Sequence, residues 1–221
     1  MPATKAIKDW LQMEIDHKNL ICQFQDAAKK GNMEVLNNLL PQIKSTVGIN
    51  ATDALGNTTL FLAAIHNQLK VIPWLISHGA DCNKPNKYND TPLDYFVSQG
   101  KHDIVRTLLN YANPNTFGRF ARPPLSTAII YNNVEMVNLL IAAQANPNIK
   151  SDTGKTPLME AIAQYNLESV KILVNNGASL SIKNNQNETA LELAKKYKLT
   201  HCSIKDFLMN HLNSVPISKS K

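Results

Sequence analysis

The chain has 221 residues, 43% of them hydrophobic and 18% charged, and carries a net charge of +6 at neutral pH. That surplus is moderate: it suits an acidic protein partner and is too small to argue for nucleic acid. No apolar run approaches the roughly 18 residues of a membrane span, and the N-terminus has charges where a signal peptide needs an apolar core, so no membrane role and a cytoplasmic location are expected. Cys22, Cys82 and Cys202 are isolated and odd in number, which points to a reducing compartment and away from a disulfide frame.

In chain order, Ala6–Lys18 has helical spacing, with Ile7, Trp10, Leu11 and Ile15 expected inward; residues 1–20 are read as an extra N-terminal helix. Ala27-Ala28, Gly31-Asn32, Val35-Leu36 and Leu39-Leu40 then keep the phase of a repeat that lacks its opening phrase. Gln42–Gly48 is expected to insert about three residues into the loop of that unit.

The opening phrase itself recurs. Its Leu falls at Leu60, Leu93, Leu125, Leu158 and Leu191, in steps of 33, 32, 33 and 33. The residue two before it is Thr58, Thr91, Thr156 and Thr189, with Pro123 in the middle unit. Asn83, Asn115 and Asn148 follow the turn that closes each unit, with Ser181 at the fourth place. The short step has a visible cause: "SHGADCN" contains a Gly that "NYANPN", Asn110–Asn115, lacks. A fixed period with scattered identities is the mark of a repeat architecture.

Each unit reads as two short helices. The Thr is an N-cap and the following Pro suits the first helical position; Leu158, Ala161 and Ile162 share one face, the chain breaks at Tyr165-Asn166, and Val170, Leu173 and Val174 return inward. Gly177 suits a left-handed C-cap. Gln144 stands where other units have Gly, so that turn and the one at Ala112 are expected to be the soft points of the array. Pro73, in "KVIPWLI", is placed near the end of the first helical turn, where it costs little and kinks the helix mildly. Residues 21–213 are read as about five to six units whose terminal pairs act as caps. The pair Thr189–Lys198 and Ser203–Leu212 closes the array, and 214–221 is expected to be a disordered tail.

Period, Thr-Pro-Leu, Gly-Ala and the following Asn agree in phase, and with them the chain resembles the ankyrin repeat family over roughly Phe24–Leu212. The resemblance implies an all-α ankyrin-repeat solenoid of helix-turn-helix units with β-hairpin-like loops and an extra N-terminal helix. It departs from the family phrase at one place: the usual His is replaced by Phe61, Asp94, Ser126, Met159 and Glu192, which removes a cross-turn hydrogen bond. The implied function is binding of a protein partner, acidic in the reading favoured by the charge, by a monomer. An alternative is a regulatory inhibitor that covers an enzyme's active site, and a third is an enzyme.

No catalytic signature supports that third reading: there is no Cys-x-x-Cys, no His-Glu-x-x-His, no Gly-rich phosphate loop and no Gly-x-Ser-x-Gly. His201, Cys202 and His211 match no usual zinc spacing. No cofactor and no metal are expected. In the family the partner meets the hairpin tips and the inner face of the first helices. The tip "TFGRFARPP" offers Phe117, Arg119, Phe120 and Arg122, with Tyr88 and Tyr131 as further aromatics. Aromatics and Arg dominate protein interfaces, but Phe117 or Phe120 folding back to plug the shortened turn is an alternative. Tyr95, Thr127 and Glu160 stand on the implied inner face, and Lys155 belongs to a run of basic tip residues with Lys84, Lys87, Lys150 and Lys183. The resemblance also marks Asn83 and Asn148 as candidates for asparaginyl hydroxylation, against a plainer role in holding the hairpin. Heavy use of Asn, Lys and Ile fits an AT-rich genome, and with it a host-directed effector of an intracellular bacterium.

Overall fold

The structure, a computed structural model, describes residues 2–197 and 203–214. Twelve α-helices are found among the described residues, with isolated antiparallel bridges Thr52 to Thr58 and Lys183 to Thr189. Backbone contacts divide the chain into two compact units, residues 1–95 with 103–112, and residues 96–102 with 113–221.

The first unit holds α1 (Pro2–Lys30), α2 (Met33–Ser45), α3 (Thr59–Ile65), α4 (Val71–Ser77), the first turn of α5 (Pro92–Ser98) and nearly all of α6 (His102–Leu109). The expected separate N-terminal helix is instead the front of α1, a single 29-residue helix that also supplies the first helix of the first repeat. Its C-terminal part packs, with Phe24 and Ala28 buried. Ile7, Trp10, Leu11 and Ile15 are not inward: they are 48–57% exposed. Nothing interrupts the helix at residue 20, and helix propagation costs far less than a new start.

A second departure lies in α2. The three inserted residues do not lengthen a loop; α2 runs through Pro41 to Ser45 and closes on Gly48, whose N–H bonds the Ile43 carbonyl at 2.7 Å. Pro41 and Asn37 are both exposed, so the Asn37 carbonyl that loses its helical N–H partner at Pro41 is open to solvent. Pro73 is the third residue of α4, where its absent N–H would have had no helical partner anyway. The turn at Ala112 also closes differently: its N–H reaches Leu108, four residues back, whereas Ala80, Ala145 and Ala178 reach five back, to Leu75, Leu140 and Leu173. One residue fewer is needed, and no left-handed residue.

The second unit holds the end of α5, a 3-10 turn at Arg119–Ala121, α7 (Pro124–Ile130), α8 (Val134–Ala142), α9 (Pro157–Ala163), α10 (Leu167–Asn175), α11 (Ala190–Lys196) and α12 (Ser203–Ser214). The period is legible as burial: Leu125 and Leu158 are at most 1% exposed here, as are Leu60 and Leu93 in the first unit. Leu191 is only half-buried, as befits a terminal repeat. The Thr caps form as expected, each hydroxyl accepting an N–H three residues on: Thr58 from Phe61, Thr91 from Asp94, Thr156 from Met159 and Thr189 from Glu192, at 3.2–3.4 Å. Backbone capping thus survives the loss of the family His. Gln144 does adopt the left-handed conformation, with φ 63°. Of residues 214–221, read as a tail, Ser214 instead closes α12, and 215–221 lie outside the described residues.

Candidate protein-binding surface

Between repeats the chain makes five fingers in one register. The N–H of Asp53, Asn86, Gly118, Ser151 and Asn184 bonds the carbonyl four residues on, at Asn57, Asp90, Arg122, Lys155 and Glu188, at 2.9–3.0 Å. Three fingers are pinned by an Asx side chain at the first position. Asp53 accepts from the N–H of Leu55 and Asn57, Asn86 from Tyr88 and Asp90, and Asn184 from Gln186 and Glu188, all at 2.8–3.0 Å. The fourth position is left-handed throughout, occupied by Gly56, Asn89, Ala121, Gly154 and Asn187. Gly, and next Asn, tolerate that conformation; Ala does so at a cost of about 1 kcal/mol.

The third finger departs from the others. Gly118 has no side chain with which to pin the tip, and Phe120 joins Ala121 in the left-handed region, with φ 61° and ψ 27°. Phe120 is 69% exposed and Phe117 42%, so neither ring fills the shortened turn. The Arg122 guanidinium carbon lies 5.8 Å from the Phe120 ring centroid, within cation–π range, and Arg119 is exposed. Tip and guanidinium therefore present one aromatic and cationic feature.

The remaining expected positions separate by depth. Tyr88, in the first unit, is 56% exposed at the tip position that Phe120 holds in its own finger. Leu55, 49% exposed, holds that position in the first finger and is invisible to a search for aromatics. Tyr131 is 63% exposed at the C-cap of α7. Tyr165, 58% exposed at φ 55°, follows the C-cap of the adjacent α9. A left-handed Tyr is unusual, and sequence reading saw only a break there. Tyr95 is half-buried, its ring 5.3 Å from that of Phe61. Thr127 and Glu160 are corrected: they are 8% and 6% exposed, because the face that carries them is packed along its first turn. Lys155 lies 3.9 Å from the Glu160 carboxylate and serves that buried charge rather than a free edge.

Three of the Asn residues that close a unit reach into the following repeat. Asn50 accepts the N–H of Asp81 at 2.8 Å, Asn115 that of Asn146 at 2.7 Å, and Asn148 that of Ser179 at 2.7 Å, while the Asn148 amide also donates to the Gly177 carbonyl at 2.9 Å. Asn50, overlooked in the sequence because its unit lacks the opening phrase, is the first of this ladder. Asn83, at the corresponding place, closes an Asx turn with its N–H on Asp81 at 2.8 Å. No helix among the described residues is long and apolar enough to cross a membrane, and no cluster of metal-ligating side chains occurs among them. His201 and Cys202 lie outside the described residues, and His211 stacks on Phe207 at 6.3 Å.

The repeated finger, paired helices and inter-repeat Asn define a helical repeat scaffold, and the comparisons give its family. A family model described as ankyrin repeats (3 copies) matches residues 24–117 and 125–217. The chain belongs to the ankyrin repeat family, whose members are protein–protein interaction modules. It is 33% identical over 94 residues to a putative ankyrin repeat protein of Rickettsia bellii, an alignment covering 41% of this chain and 56% of that one. It is 30% identical over 97 residues to the human Notch-regulated ankyrin repeat-containing protein, covering 43% of this chain and 85% of that one. The chain thus spans little more than half the length of the Rickettsia relative. Crystal structures agree over more of the chain. The ankyrin repeat protein EF0377 superposes with a TM-score of 0.68 at 29% identity, covering 86% of this chain and 97% of that one. An ankyrin repeat domain from Acinetobacter baumannii AYE gives 0.67 at 28%, covering 85% and 96%.

Proposed function

We propose that this chain binds a protein partner without catalysis, and that the third finger, Phe117 with Arg119–Arg122, is the centre of the contact. The observation that carries this reading is Phe120: a large aromatic side chain held outward on a left-handed backbone, with the Arg122 guanidinium beside it. An exposed ring gains nothing from that backbone strain in the free chain, and strain of this kind collects at binding sites. Aromatic and Arg side chains are the usual anchors of protein interfaces. Tyr131 and Tyr165 extend the proposed surface within the second unit, Tyr88 is a separate proposed contact in the first, and the net charge favours an acidic partner met by a monomer in a reducing, cytoplasmic setting. Asn83 and Asn148 remain proposed hydroxylation sites; Asn148 already spends its amide on the inter-repeat contact.

The test is capture of a partner from lysate, followed by Phe120→Ala and Arg122→Ala. Each should weaken binding by about 2 kcal/mol and leave thermal stability within about 0.5 kcal/mol. Lost stability with unchanged affinity would overturn the proposal. An assay of the captured partner, with and without this chain, separates an adaptor from an inhibitor of an enzyme. The composition extends the reading to a host-directed effector; a reporter fusion retained in the producing cell during infection would remove that extension.

A further inference from the structure

The lengthened first repeat leaves a feature that the fingers do not account for. Where α2 ends and the chain turns toward the first finger, a shallow, open cavity of about 640 Å³ lies at the surface. Lys44, Gly48, Asn50 and Thr52 line it from one repeat, His78 and Lys84 from the next. All lie in the first unit.

Its electrostatics are one-sided. Lys44 is exposed and has no hydrogen-bond or ion-pair partner among the described residues. Lys84 is half-buried and donates to the Asn50 carbonyl at 2.9 Å, which leaves an ammonium two further N–H donors. No carboxylate lines the cavity. The nearest in sequence are occupied elsewhere: Asp53 pins its finger through the N–H of Leu55 and Asn57, and Asp81 accepts from the N–H of Asn83. His78 is fixed through Nδ1 to the Trp74 carbonyl at 2.7 Å and adds no negative charge. Two ammonium groups share a concave, partly apolar space with no carboxylate among its lining residues.

We propose that this cavity receives carboxylate side chains from an acidic peptide segment. The two ammonium groups stand on different elements, one on α2 and one after the following repeat's closing turn, and act as separate point charges. That arrangement suits two carboxylates spaced along a chain better than a single compact anion. The apolar wall of Val47 and Ile49 suits the methylenes between carboxylate and backbone. The proposal rests on the protein-binding reading above and adds to it a second, charge-reading contact, remote in sequence from Phe120.

The experiment needs no identified partner. The full chain, labelled with 15N, is titrated with blocked tetraglutamate while amide shifts are followed, with inorganic phosphate at matched charge and blocked tetralysine as parallel titrations. Saturable shifts centred on Gly48, Asn50 and Thr52 are expected with tetraglutamate alone. Lys44→Gln, an exposed change with no partner to lose, should weaken that binding about threefold. Lys44→Gln with Lys84→Gln should weaken it at least about tenfold. Shifts scattered over the surface, shifts indifferent to Lys44→Gln, or an equal response to phosphate would each overturn the assignment. A Phe120→Ala chain that loses its captured partner and still takes tetraglutamate separates failure of the finger reading from failure of this one.

Discussion

The second and third fingers are built to one register from different residues. In Asn86–Asp90, one side-chain amide holds the tip: its oxygen takes two backbone N–H groups, and its nitrogen bonds the Asn57 oxygen at 3.2 Å. The left-handed position belongs to Asn89, a residue that accepts it readily. In Gly118–Arg122 the amide is gone, the left-handed position holds Ala121, and Phe120 is drawn into the same region of backbone space. The first finger type is self-sufficient. The second holds Phe120 and Ala121 in the left-handed region and displays a ring and a guanidinium. The difference separates residues that make a repeat stand from residues available to do something with it.

The sharpest way to break that comparison is to remove the amide. Asn86→Ala loses three hydrogen bonds and leaves two tip N–H groups without their acceptor, so the first unit should lose about 2 to 3 kcal/mol of stability. Chemical denaturation followed by helical circular dichroism measures it; a loss below about 0.5 kcal/mol would mean water replaces the amide. Next in size is Phe120→Ala, which should cost about 2 kcal/mol in partner binding with almost no change in melting temperature. The two substitutions predict opposite readouts from equivalent structures.

Much of this was legible in the sequence, and the residues say why. The period, the Thr caps and the left-handed Gln144 follow from local rules that tertiary packing reinforces. The front of α1 was misjudged because its apolar spacing is that of a buried helix, and spacing cannot say whether a neighbour exists. Gln42–Gly48 was expected to lengthen a loop, yet α2 passes through Pro41 and takes up residues to Ser45. Thr127 and Glu160 were assigned to the right helices at the wrong depth, since first turns this short are packed on most sides. Asn50 and Leu55 were missed because the first unit lacks the phrase that aligns the others. Phe120 was visible as a residue type; its backbone conformation was not.

Strain at the third finger can be relieved without touching its display. Ala121→Gly removes the Cβ that disfavours φ 46° and should stabilise the second unit by up to about 1 kcal/mol. Gln144→Gly, at φ 63°, should give a similar gain in the same unit. If the tip must be held rigid for binding, Ala121→Gly raises the melting temperature while lowering affinity, and Gln144→Gly raises it alone. Equal effects of the two on affinity would remove any special role for the finger backbone. Thermal melts and binding isotherms on the same preparations decide it.

Acid should distinguish the fifth finger from the third, with the smallest effect of the series. Glu192 is held below the ordinary glutamate value of 4.5 first by the Thr189 N–H, at 2.7 Å, and then by the Thr189 hydroxyl, at 2.8 Å. Glu188 is lowered by the Lys196 ammonium, at 2.6 Å, and then by the Asn184 amide, at 3.0 Å. A carboxylate lowered on folding contributes stability that is present above its unfolded value and is lost as pH falls through its folded one. The contribution should therefore be complete above about pH 5 and disappear below pH 4.5 as each group protonates. Glu188 is half-buried but its partner Lys196 is exposed, so added salt should shrink the Lys196 component, while the Thr189 cap, a hydrogen bond to backbone, should resist it. Gly118–Arg122 contains no carboxylate of its own to protonate over that range. Amide exchange measured from pH 6 to pH 3 should show Asn184–Thr189 opening while residues 118–122 keep their relative protection. Parallel loss in the two fingers would mean that acid acts on the whole unit and not through this cap.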